Sequence, residues 1–107
     1  MSHLNKITIE QSLLALGIAS AEYLRLEKET SIAKYCYNLA KNDFIERNFD
    51  EFCIVTWDDL INNDDFIKAT DDLYKTFKEK KRQKINAKRR LDTKFRQYNN
   101  AVHLGDV

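Results

Sequence analysis

At 107 residues, 43% hydrophobic and 11% aromatic, the chain has enough apolar material for one folded core and no room for a second. It contains no proline, and its only glycines are Gly17 and Gly105, which excludes sheet-rich and α/β architectures that depend on Gly/Pro turns. Its 18 Lys/Arg and 17 Asp/Glu nearly cancel to a net +1, but they are distributed very unevenly along the chain. The expected fold is all-α: a small helical bundle with a long C-terminal helix, as one domain over 1–107. Its core would cover about 7–77, and a basic helical extension about 78–102.

In chain order, Thr8 and Gln11 form a capping box. The predicted helix runs over about 9–28 and is mostly buried. Ile9, Leu13, Leu16 and Tyr23 lie at helical spacing, and Leu14, Ala21 and Leu24 widen the stripe. The apolar run over 13–21 is not read as a signal peptide, because Glu10 and Gln11 interrupt its approach and the run would overlap its own cleavage site. The segment around Gly17 resembles the glycine-centred turn of a helix-turn-helix, with 20–26 as the recognition helix. It departs from that pattern at Leu13, where a small residue is usual, and Glu22, Arg25 and Glu27 offer little cationic surface to a major groove. One continuous helix that tolerates Gly17 is therefore expected.

Thr30 and Ser31 supply a fresh N-cap signal, predicting a second helix to about Asn48 with Ile32, Tyr35, Cys36, Leu39 and Ala40 inside. The stretch 49–56 is the least helical. Phe52, Cys53, Ile54 and Val55 read as a buried extended connector or one short strand near 52–56. Thr56 with Asp59 forms another capping box, and the short helix it opens is interrupted at Asn62 and Asn63. From Asp64 nothing stops a helix before Gly105, a span of roughly 55–60 Å.

Projected at 100° per residue, Phe66, Leu73, Phe77, Leu91, Phe95, Tyr98 and Val102 share one line of that last helix. Between its two ends the line carries Lys80, Lys84 and Lys88, a polar collar with Ile85 as its only large apolar residue. The distal seam of Leu91, Phe95, Tyr98 and Val102 is thus expected to bury itself against a second chain or a partner, unless the helix breaks near 80–88 and folds back.

Charge divides the chain. Residues 1–76 hold 8 Lys/Arg and 14 Asp/Glu, whereas residues 77–107 hold 10 and 3. The ten late cations are Lys78, Lys80, Lys81, Arg82, Lys84, Lys88, Arg89, Arg90, Lys94 and Arg96. They either complement the acidic half and the helix dipole or form a face that binds polyanions, nucleic acid first among them. The acidic pairs at 58–59, 64–65 and 71–72 recur at six- and seven-residue intervals. On a continuous helix they would place Asp58, Asp65 and Asp72 near one face, a solvated surface or a dock for a basic partner.

Enzymatic signatures are missing: the chain has no phosphate loop, GxSxG, HExxH or calcium-loop spacing. His3 and His103 stand at opposite ends, and Cys36 and Cys53, read as buried free thiols, have no histidine near them in sequence. No cofactor or metal is implied. No apolar run approaches the ~18 residues of a membrane span, and a cytoplasmic setting is expected. The functional expectation is a non-catalytic helical protein that engages nucleic acid or a nucleoprotein assembly through its basic helix. The alternative is a protein-binding inhibitor or adaptor, of the kind carried by phages and mobile elements, that uses the acidic middle and the distal seam. The Asn, Lys, Ile and Asp content suits an AT-rich genome of that kind.

Overall fold

The computed structural model describes residues 2–105, with side chains over 8–104. Three helices account for almost all of it: α1 Ser2–Asn48, α2 Trp57–Ile61 and α3 Asp64–Gly105. No strand occurs among the described residues, and the all-α expectation with a long C-terminal helix holds. The stretch 53–56 is irregular connector rather than strand.

Two predicted helices prove to be one. Neither Thr8 nor Thr30 starts a helix, because α1 is already helical from Ser2 and passes Gly17 and Thr30 without a break. Thr30 is 6% exposed, so its side chain is buried along α1 instead of capping a new element. The real stop comes after Asn48, where the Asn48 side-chain amide donates to the Phe44 carbonyl and the Phe49 N–H donates to Ile45. By contrast, the caps around α2 are as expected. Thr56 Oγ1 accepts from the Asp59 N–H at 3.2 Å, and Asp59 Oδ2 accepts from the Thr56 N–H at 3.0 Å. Asn62 ends α2, and Asn63 Oδ1 accepts from the Phe66 N–H at 3.0 Å at the start of α3.

The chain forms two compact units, a terminal unit (Met1–Lys28 with Arg82–Val107) and a middle unit (Glu29–Lys81). The middle unit has an aromatic core of Tyr37, Phe44, Leu60 and Phe66, against which Ile45, Phe49 and Val55 pack. Phe44 meets Phe66 edge-on at 5.3 Å between centroids, and Trp57 meets Phe66 at 6.5 Å. Its helical segments bury Thr30, Tyr37 and Phe44 on α1 and Phe66 and Thr70 on α3, with Ala33, Ala40 and Phe77 half-buried between them. The inner face is therefore not the expected Ile32, Tyr35, Cys36 and Leu39, of which Ile32, Tyr35 and Leu39 are all more than half exposed. Apolar residues occupy both sides of α1 here, and the side that meets the α2 and α3 aromatics is the one buried.

The terminal unit buries smaller residues: Ala19 and Leu26 on α1, Ala87 and Ala101 on α3. Around them Ile9, Ser12, Leu16 and Tyr23 face Lys84, Leu91, Lys94 and Tyr98, all half-buried. Buried positions follow at alternating intervals of three and four, a 3.5-residue repeat. The first helix is thus not mostly buried, since Leu13, Leu14, Ile18 and Leu24 stand 51–67% exposed. Both cysteines are free and exposed, contrary to expectation: Cys36 lies beside the buried row and Cys53 in the open connector. Phe52 and Ile54, expected inside, are 86% and 92% exposed. The connector is too irregular to turn them inward, and only Val55 reaches the core.

Candidate nucleic-acid interface

The ten late cations do not form one uniform face. In the middle unit, Lys80 is half-buried and its Nζ lies 3.1 Å from Glu29 Oε1. Lys78 lies over the Tyr74 ring at 5.4 Å, and Lys81 is exposed. In the terminal unit Lys84 and Lys94 are half-buried on the side that meets α1, and Lys94 donates to Gln97 at 3.4 Å. Long alkyl stems allow a lysine to take such a half-buried position without burying its charge. Lys88 pairs with Asp92 at 3.2 Å and sits over the Tyr23 ring at 5.8 Å. Arg90 is ion-paired to Glu22.

Arg82, Arg89 and Arg96 are the residues that turn outward together. All are exposed, and they recur every seventh residue on α3, so they share one face at steps of about 10.5 Å. The side chains of Arg89 and Arg96 form no ion pair among the described residues. This seven-residue arginine repeat is legible in the sequence, but treating the ten cations as a block concealed it. The terminal unit carries ten Lys/Arg against five Asp/Glu, a net +5, whereas the middle unit carries eight against twelve, a net −4.

Close by, the Tyr23 phenol is held protonated above its ordinary range, first by its hydrogen bond to Glu27 and then by partial desolvation. Lys88 opposes that shift but does not overcome it.

The acidic positions lie in the middle unit. Asp58, Asp65 and Asp72 are all exposed, but the interruption at Asn62 and Asn63 separates Asp58 on α2 from Asp65 and Asp72 on α3. Asp59 is held below the usual carboxylate range by its hydrogen bonds from Thr56. Lys75 is pushed up by its hydrogen bond and 2.8 Å ion pair with Asp71. No group of three or more His, Cys, Asp or Glu among the described residues is placed to hold a metal ion.

The distal seam is partly covered within the chain. Leu91 and Tyr98 are half-buried on the side of α3 that meets α1, and α3 runs unbroken through 80–88, so no fold-back is needed. Phe95 is different: it is 54% exposed, one residue off the buried row on which Lys94 lies. His103 is exposed, and the side chain of His3 lies outside the described residues. No helix among the described residues is long and apolar enough to cross a membrane. No family model, curated protein or solved structure matches the chain.

Proposed function

We propose that the terminal unit binds nucleic acid without catalysing a reaction, through the outward face of α3 that carries Arg82, Arg89 and Arg96. The observation that supports this reading is the uncompensated pair Arg89 and Arg96. Asp92 is the only carboxylate among the described α3 residues of that unit, and Lys88 occupies it. Guanidinium groups repeating along a rod present forked donors to successive phosphates, and neutralising each phosphate releases counterions. Contacts of this kind go to the phosphate backbone that every sequence shares, so the reading commits to no base preference. A cytoplasmic setting, where thiols stay reduced, suits the exposed Cys36 and Cys53.

The test is anisotropy of a labelled oligonucleotide, single-stranded and duplex, between about 50 and 200 mM salt. Wild type should bind at low salt and weaken steeply as salt rises. The double variant Arg89→Ala/Arg96→Ala should lower the magnitude of the log–log salt slope by about two. Lys80→Gln, whose cation is already taken by Glu29, should leave the slope unchanged. A wild type that fails to bind at low salt overturns the reading. A second reading, an adaptor for a basic protein, draws on the net −4 of the middle unit and on its exposed Phe52, Ile54 and Trp57.

A further inference from the structure

The outer side of α1 in the terminal unit is apolar where a solvated helix face should be polar. Leu14 is 67% exposed, Leu24 63%, Ile18 62% and Leu13 51%. Between them lies Gly17, and a Cβ built there meets nothing within 4 Å. Glycine is a poor residue inside a helix compared with alanine, and the packing of its own chain supplies no reason for it. What a glycine does provide on a helix surface is close approach of a second helix.

The order of residues on that face indicates which helix. Glu10, Leu14, Gly17, Ala21, Leu24 and Lys28 succeed one another at intervals of four, three, four, three and four, a spacing symmetric about residue 19. Read in either direction the row runs charged, large, small, small, large, charged, and its two ends have opposite sign. An antiparallel copy of the same row therefore sets Leu14 against Leu24, Gly17 against Ala21, and Glu10 against Lys28, each twice. A parallel copy would instead set Glu10 on Glu10 and Lys28 on Lys28. Neither Glu10 nor Lys28 has an ion pair among the described residues of its own chain.

We infer that the outer face of α1 binds a second copy of this chain, antiparallel, with Gly17 and Ala21 at the crossing and Glu10–Lys28 pairs closing both ends. A two-fold contact must be self-complementary, and this row is so in size and in charge. The inference stands apart from nucleic-acid binding, because it uses α1 and none of the arginines on α3.

Sedimentation equilibrium of the full chain, from micromolar to sub-millimolar concentration, tests it. Wild type should be dimeric. Gly17→Leu should abolish the dimer by filling the crossing, while helicity by circular dichroism is kept, since the added side chain enters open space and leucine is the better helix former. Glu10→Lys should weaken the dimer roughly ten-fold by turning two attractive pairs into repulsive ones, and the exchange Glu10→Lys/Lys28→Glu should restore it. A monomeric wild type overturns the inference and leaves the face to a different partner. A dimer indifferent to Gly17→Leu overturns the choice of face, and failure of the exchange to restore association overturns the antiparallel register.

Discussion

The two units bury their helices with different materials. The middle unit adds a short third helix, and with it reaches an aromatic core in which Leu60 and Phe66 are each 3% exposed. The terminal unit has only two helical segments. It buries three alanines and Leu26 between them, and leaves four large aliphatic side chains of α1 in solvent. Two helices in contact can each hide one stripe, and a helix that is apolar on both sides needs a further neighbour. α2 enlarges the buried side of α1 in the middle unit, and the other side, with Ile32, Tyr35 and Leu39, stays more than half exposed there as well. Nothing among the described residues covers Leu14 and Leu24 either, and in the terminal unit the row around Gly17 adds a reason to expect a partner.

If that contrast is energetic as well as geometric, the largest effect should come from the aromatic core. Phe66→Ala should cost about 3–5 kcal/mol in denaturant unfolding. Hydrogen exchange should show the loss first in the amides of the middle unit. Equal loss of protection in the amides around Leu26 would mean that the two units open as one, and the contrast would then be of packing material only.

A smaller effect should expose the tight seam of the terminal unit. Ala87 is 1% exposed, so Ala87→Leu forces extra volume into a closed contact and should destabilise by about 1–3 kcal/mol. The same enlargement at the exposed Ala69 in the middle unit should be close to neutral. Equal tolerance at both sites would show that the alanine seam is loosely packed.

The smallest effect concerns the cap of α2. Hydrogen bonds from Thr56 hold the Asp59 carboxyl below its ordinary value of 3.8, so its contribution is present above that value and is lost as pH falls through the lower, folded one. Protection of the Thr56 amide, taken relative to its intrinsic exchange rate at each pH, should therefore fall in acid in the wild type. In Asp59→Asn it should be lower already at neutral pH and lack the acid step. Unchanged protection across that range would remove the capping box as a reason for the position of α2.

Helical class was legible because the signals that set it are local. The absence of proline, the Thr56–Asp59 box and the Asn62–Asn63 break depend on a few neighbouring residues and on backbone rules that hold in any context. The ends of the basic helix were legible for the same reason. The arginine face on α3 was only half legible. Its residues were in view, but which cations are already bound to Glu22, Glu29 or Asp92 depends on residues far away or on rotamers.

Which side of each helix is buried was decided by the tertiary structure alone. A fixed 100° projection selects Phe95 and Val102, whereas the buried row in the terminal unit holds Lys94 and Ala101. The two patterns drift apart by ~20° per heptad, so several heptads along α3 the projection lands one residue off. On α1 the ambiguity was deeper, because both sides are apolar and composition favours neither. Ala19 and Leu26 are buried rather than Leu14 and Leu24 because α3 presents Ala87 and Ala101 to that side. The match is made between side chains far apart in sequence, and no local pattern records it.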